Sequence, residues 1–341
     1  MDESASLGRK ILFWLISPGA IKLAISLCLG GVTISYLSRL KADQVAARQA
    51  VPARPSWQHG TSDTRLQRAI DADDGQAVSR LLLIIPREKI RDNIIDRLSF
   101  DKTAHALEAF LSNGWSPNGV GNNGVPVVNA VRAGQARALA VLLKHGANPN
   151  VRDDMKRPAM LWAGSGFRTS PTLIELLVRA GAKIDEVATY PVRVNRRPKM
   201  TLYAKDRAIT IAAFSGNIAG IRTLIRLGAN VNPVPGENLP PLAAAAYAKH
   251  SYDLTKLLLD AGADPNSEGI AYLDGPNGTM LTMRASAIFL NSWFDHSDTV
   301  KLLLERGADP TRKTSTGETV AGVANPETAE VLRQAGLALR K

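Results

Sequence analysis

Cysteine is nearly absent: Cys28 is the one copy in 341 residues. That excludes an intramolecular disulfide framework and any metal cluster built on cysteine. It leaves the compartment open, because a chain without disulfides is stable on either side of a membrane. Aromatic residues make up only 5% of the chain, while Ala, Leu and Gly are plentiful, a balance that favours close-packed helices over a β-sandwich. The histidines (His59, His105, His145, His250, His296) are scattered and form no HExxH or HxH pattern. Phosphate loops of the GxGxxG or GxxxxGKS/T type are missing too. Cys28 has no basic neighbour to activate it as a nucleophile. The sequence therefore reads as non-enzymatic, with no cofactor and no metal site expected. Charge is not extreme either: the net +11 divides into +4 over residues 1–60 and +7 over the remainder. So mild an excess favours acidic partners or membrane surfaces and is not by itself a nucleic-acid footprint.

Against these absences, 45% of the residues are hydrophobic, enough to build a core. One long apolar run stands out, from Ile11 to Leu37, interrupted at Pro18-Gly19. We read residues 1–19 as an N-terminal tail with an interfacial segment and residues 20–38 as a single transmembrane helix. Nineteen residues reach about 28 Å at helical rise, close to the hydrocarbon thickness of a bilayer. Lys22 lies where its stem snorkels to the headgroups, and Phe13, Trp14 and Tyr36 suit the two interfaces. A cleaved signal peptide fits less well, because Arg39 and Lys41 stand where its small-residue cleavage site belongs. Basic residues on the two sides nearly balance, so the positive-inside rule does not orient the span. Ser26-xxx-Gly30 and Gly31-xxx-Ser35 are small-residue pairs that allow weak self-association of the helix. Residues 39–62, with Pro52, Pro55 and Gly60 and no sustained apolar period, form a flexible stalk.

From residue 63 onward one phrase keeps returning. It reads VLLKHGANPN at 141–150, LLVRAGAKID at 176–185, TLIRLGANVN at 223–232, KLLLDAGADPN at 256–266 and KLLLERGADP at 301–310, with a worn copy, AFLSNGWSPN, at 109–118. Its glycines, Gly114, Gly146, Gly181, Gly228, Gly262 and Gly307, are separated by 32, 35, 47, 34 and 45 residues. The apolar residues end a helix at core spacing, and the glycine takes the left-handed position that stops it. Ala packs tightly after it, and Asn or Asp starts a reversed turn through side-chain bonds to the backbone. Upstream lie short, small-residue helices such as PPLAAAAYAK at 240–249, where proline at the first position costs no hydrogen bond.

The phrase and its period resemble the ankyrin repeat. The GADPN-type ending is well kept, whereas the family's T-P-L-H-x-A motif survives only in fragments such as Pro240-Pro241-Leu242. The resemblance implies an all-α solenoid of stacked helix-turn-helix pairs with finger turns along one edge, over residues 63–340. It amounts to about eight units, degenerate at both ends. It further implies a protein partner, bound through the fingers and the concave helical face.

Two glycine steps exceed the rest by about a dozen residues. The first extension crowds Arg193, Arg196, Arg197, Lys199, Lys205 and Arg207 together, flanked by Tyr190 and Tyr203. Arginines pair with carboxylate or phosphate and tyrosines supply rigid contact area, although a solvated loop has the same composition. The second extension, residues 266–286, has turn dipeptides at Asp274-Gly275 and Asn277-Gly278 and suits a β-hairpin carrying Tyr272. Trp293 and Phe294 follow, either partly exposed to a partner or packed on a neighbouring repeat. The candidate contact residues are thus Tyr190, Arg193, Arg196, Arg197, Lys199, Tyr203, Tyr272, Trp293 and Phe294. The leading expectation is a membrane-tethered protein-binding scaffold. Two others remain open: a binder of anionic lipid or polyanion through the basic finger 190–207 and the stalk, and an envelope immunity or protective protein.

Overall fold

The computed structural model describes residues 63–100, 102–119, 125–166, 170–194, 200–234, 237–274 and 280–336. The tail 1–19, the expected transmembrane helix 20–38 and the stalk 39–62 lie outside the described residues. Among the described residues, no helix is long and apolar enough to cross a membrane.

The described chain falls into two compact units, residues 63–263 and 264–336. The first carries six helix pairs: α1 Thr64–Asp71 with α2 Gly75–Leu82, α3 Ile94–Phe100 with α4 Ala104–Ser112, and α5 Pro126–Ala133 with α6 Ala136–Lys144. These are followed by α7 Ala159–Gly164 with α8 Pro171–Arg179, α9 Ala208–Ser215 with α10 Ile218–Arg226, and α11 Pro241–Ala244 with α12 Ser251–Asp260. A hairpin, β1 Ala188–Val194 and β2 Met200–Asp206, sits between α8 and α9. The second unit opens on β3 Glu268–Asp274 and β4 Met280–Ser286 and continues with α13 Ala287–Trp293, α14 Ser297–Glu305, α15 Val320–Val323 and α16 Pro326–Gln334. Apart from the two hairpins, regular structure in both units is helical.

Helix starts follow local chemistry. Asp63 Oδ1 accepts from the backbone N–H of Arg65 at 2.9 Å, Asp74 from Ala77 at 2.9 Å and Asn325 from Thr328 at 2.7 Å. Each bond satisfies an amide that the first helical turn leaves without a partner. Pro126, Pro171, Pro241 and Pro326 stand in the first turn, where the missing N–H is not needed. Helix ends follow the glycines, which adopt φ between 82° and 90° at Gly146, Gly181, Gly228, Gly262 and Gly307.

Packing follows the same register. Four residues before each of the six glycines stand Phe110, Leu142, Leu177, Leu224, Leu258 and Leu303, every one 0% exposed. Burying such a side chain contributes roughly 1.5–3 kcal/mol, the main favourable term for a unit this small. In residues 63–263, first helices pack on first helices and second on second. Small residues allow the close approach. A Cβ on Gly164 of α7 would lie 2.4 Å from the Ala208 carbonyl oxygen of α9, so only glycine fits there.

The finger turns are tied to one another by amides. Asn150, four residues after its glycine, accepts from the Lys183 N–H at 2.9 Å and donates to the Gly181 carbonyl at 3.1 Å. Asn266 does the same with Asp309 at 2.8 Å and Gly307 at 3.0 Å. Asn118 accepts from Asn148 at 2.9 Å, and Asn232 donates to Gly262 at 3.1 Å. Each rung joins a finger to the next and has a net value of about 1 kcal/mol per bond. This is why the repeated phrase ends in Asn.

One buried group opposes the fold. Asp96 of α3 is buried, its Oδ1 has no partner, and burial pushes its carboxyl from 3.8 up to about 6. The folded chain therefore holds this proton more tightly than the unfolded chain does. The contribution is complete below about pH 4 and is lost as pH rises through about 6. Asp96→Asn is expected to raise stability at neutral pH and to flatten its fall between those two values. Urea unfolding across that range checks this, and an unchanged slope would contradict it.

Candidate functional site

The two glycine steps that exceed the others are both β-hairpins inserted into fingers. In the first, seven antiparallel pairs run from Ala188↔Asp206 to Val194↔Met200. In the second they run from Glu268↔Ser286 to Asp274↔Met280. The second was expected as a hairpin from its turn dipeptides; the first, expected only as an extended basic finger, has the same form. Both are pinned at the base to the finger that follows. The Asn238 N–H donates to the Lys205 carbonyl at 2.9 Å, and the Ser315 N–H donates to the Arg284 carbonyl at 3.2 Å. Ala271, Leu273, Met283 and Ala285 form a buried face of the second hairpin.

Arg207 anchors the first hairpin. Although its sequence setting is a basic finger, its side chain is 0% exposed and does not face a partner. Its Nη1 donates to Asp185 Oδ1 at 2.8 Å and to the Asn230 carbonyl at 2.7 Å. Its Nη2 donates to the Asn232 carbonyl at 2.8 Å and to Glu237 Oε2 at 2.9 Å, and its Nε donates to the same Oε2 at 3.1 Å. Glu237 is itself 1% exposed at the side chain and accepts from Thr210 through its other oxygen. Asp185 stands where other fingers carry Asn, and accepts from the Asn230 N–H at 3.1 Å. A carboxylate cannot donate to the next glycine carbonyl, so here Arg207 supplies the donors that bind the two fingers together.

The other sequence candidates are dispersed. The register sets Tyr190 opposite Ala204, Arg193 opposite Thr201 and Tyr203 opposite Pro191. Arg196, Arg197 and Lys199 lie outside the described residues. Tyr272 is half-buried on β3, paired with Thr282. Trp293 and Phe294 are half-buried at the end of α13, with ring centroids 6.2 Å from Phe289 and 6.2 Å from His296 respectively. Among the described residues, no group of His, Cys, Asp and Glu could hold a metal ion.

A feature missed in the sequence is a column of half-buried side chains on the first-helix row of residues 63–263. It comprises Arg132, Trp162, Phe214 and Tyr247. Arg132, Phe214 and Tyr247 occupy one structural position, seven residues after the caps Val125, Arg207 and Pro240. Trp162 lies one turn earlier on α7. The Phe214 and Tyr247 rings are 5.0 Å apart and tilted by 30°. The guanidinium carbons of Arg157 and Arg132 sit 4.3 and 4.8 Å from the Trp162 ring centre, within cation–π range. Asp153 orients this cluster, accepting from Trp162 Nε1 at 3.1 Å and from Arg157 Nε at 2.9 Å. Burial, and then the charge of Arg157, lower the Arg132 pKa below its ordinary value. The signal was available in the sequence: aligning the units on their helix caps stacks these residues, whereas reading each helix alone does not bring them together.

Removing Arg207 tests the finger anchor. Arg207→Ala leaves the buried Glu237 carboxylate without its cation and is expected to cost about 3–5 kcal/mol. Arg207→Met combined with Glu237→Gln is expected to recover much of this. Urea unfolding measures both; a loss below about 1 kcal/mol for Arg207→Ala would contradict the anchoring role.

Comparison with known proteins agrees with this architecture. Residues 238–270 match the family model "Ankyrin repeat". Human cyclin-dependent kinase 4 inhibitor B is 39% identical over 87 residues, 25% of this chain and 58% of that protein. Glycerophosphocholine phosphodiesterase gde1 of Schizosaccharomyces pombe is 28% identical over 181 residues, 50% of this chain and 16% of that protein. The chain thus spans less than two thirds of the length of either relative. Among solved structures, the human ASB11 ankyrin repeat domain superposes with a TM-score of 0.53 at 20% identity, covering 71% of this chain and 97% of that domain. At that identity the likeness speaks for the fold alone. Helix pairs and glycine-terminated fingers thus give this chain the fold of an ankyrin-repeat solenoid, and residues 238–270 carry a match to the repeat itself.

Proposed function

We propose that the chain is a membrane-tethered, non-enzymatic scaffold that binds a partner protein across its first-helix row and fingers. The observation that carries the reading is the column of Trp162, Phe214 and Tyr247. These large rings stay half-exposed on helices whose remaining side chains are mostly buried. Aromatic residues held by their neighbours lose little entropy on binding and dominate protein interfaces. The two guanidiniums at Trp162 favour a partner that presents acidic groups beside apolar ones. Ankyrin repeats generally mediate contacts between proteins, and one relative is named as an inhibitor of a kinase. The tether reading rests on the apolar run 20–38 and would raise the local concentration of the scaffold at the bilayer.

Photocrosslinking in the native cell tests both parts. A photoreactive phenylalanine at Phe214 or Tyr247 is expected to capture a discrete membrane-fraction partner, whereas one at Lys256, on second helix α12, is not. Phe214→Ala with Tyr247→Ala is then expected to weaken the purified pair by about 2 kcal/mol, roughly 30-fold. Equal capture from α12, or an unchanged affinity, would overturn the assignment of the face.

A further inference from the structure

The first repeat departs from the others at one place. In six later units the second helix is closed by glycine, at Gly114, Gly146, Gly181, Gly228, Gly262 and Gly307. In the first unit α2 runs into Leu83-Ile84, with Ile84 in the glycine's place and Ile85 buried where those units bury a residue after the glycine. Leu83 is 79% exposed and Ile84 66%, the two most exposed large hydrophobic side chains among the described residues. Helix termination does not call for either of them, since glycine ends the later helices without bulk. Terminal repeats ordinarily present polar surface for solubility, so an adjacent exposed apolar pair calls for an apolar neighbour.

Position and charge identify that neighbour. The helices α1 and α2 pack together and are joined by only Ala72–Asp74, so they run antiparallel. Asp63, where the chain enters α1, and Leu83, where α2 ends, therefore lie at the same end of the pair. The apolar run 20–38 precedes this entry point by a stalk of about two dozen residues. Exposed Arg80, Arg87, Lys89 and Arg91 flank the apolar pair, against Glu88 and Asp92. Arg87 stacks on Trp115 at 4.4 Å, which keeps its head beside the turn. An apolar tip ringed by excess cations fits the boundary of headgroups and acyl chains in an anionic bilayer.

We propose that Leu83 and Ile84 insert into the surface of an anionic membrane and seat the first repeat on it. This inference rests on the tether reading, and the test separates the two. The full chain, with Cys28→Ser and Ile84→Cys, is labelled with an environment-sensitive fluorophore and reconstituted with phosphatidylcholine vesicles, with and without phosphatidylglycerol. A second version carries the label at Gln76→Cys, at the far end of α2. The expected result is flotation with the vesicles and a blue-shifted emission at residue 84. Quenching by acyl-brominated lipid should be about twofold stronger at 84 than at 76, and stronger with phosphatidylglycerol. Flotation with a label at 84 that stays in water would overturn the insertion and leave the tether standing. Failure to float would overturn both. A blue shift without lipid quenching would place protein over the pair, from a second copy or the chain's own N-terminal residues, and overturn the proposal. Equal quenching in both vesicle types would overturn the anionic assignment.

Discussion

Among the described residues, the fingers at 146–150, 181–185, 262–266 and 307–311 are each held by a side-chain amide of the finger before. A helix pair of some seventeen residues cannot bury its own apolar surface, so a unit exists only as the neighbour of another. Leucine packing supplies most of the favourable energy of that association, yet it is non-directional and sets no register. Register comes from the paired donor and acceptor of one asparagine side chain, which must meet a glycine carbonyl and an amide two residues further on. The spacing between fingers, the alignment of first helices and the column of aromatic rings all inherit this geometry.

The exception is informative. Where Asp185 replaces Asn, the donor is lost, and the fully buried Arg207 bridges Asp185, two backbone carbonyls and Glu237. A fixed cation at the foot of a seven-pair hairpin lets that finger extend without loosening its base. The second hairpin is based differently, on a buried apolar face and on backbone bonds to the following finger.

Much of the fold was legible in the residues. The GADPN-type ending encodes a left-handed glycine, a buried alanine and an inter-finger asparagine within five positions, so its recurrence specified the helix pairs and their turns. The second hairpin was legible through Asp274-Gly275 and Asn277-Gly278. What stayed hidden were relations between distant residues. Arg207 read as one more cation of a basic finger, because its partner Glu237 is thirty residues away. Trp162, Phe214 and Tyr247 drew no notice in the sequence, because helical periodicity does not say which side chains of a short helix stay half-exposed. Exposure of Ile84 was likewise hidden, since an apolar run ending a helix looks the same whether or not anything covers it.

The claim on which the rest depends is that side-chain amides couple successive fingers within each unit. Hydrogen–deuterium exchange on the native chain tests it most directly. The backbone amides of Asn148, Lys183 and Asp309, each bonded to an asparagine of the preceding finger, are predicted to exchange as slowly as those of the neighbouring helices. Exchange at the rate of an open loop, with the helices still protected, would show that the fingers move independently and would contradict the account.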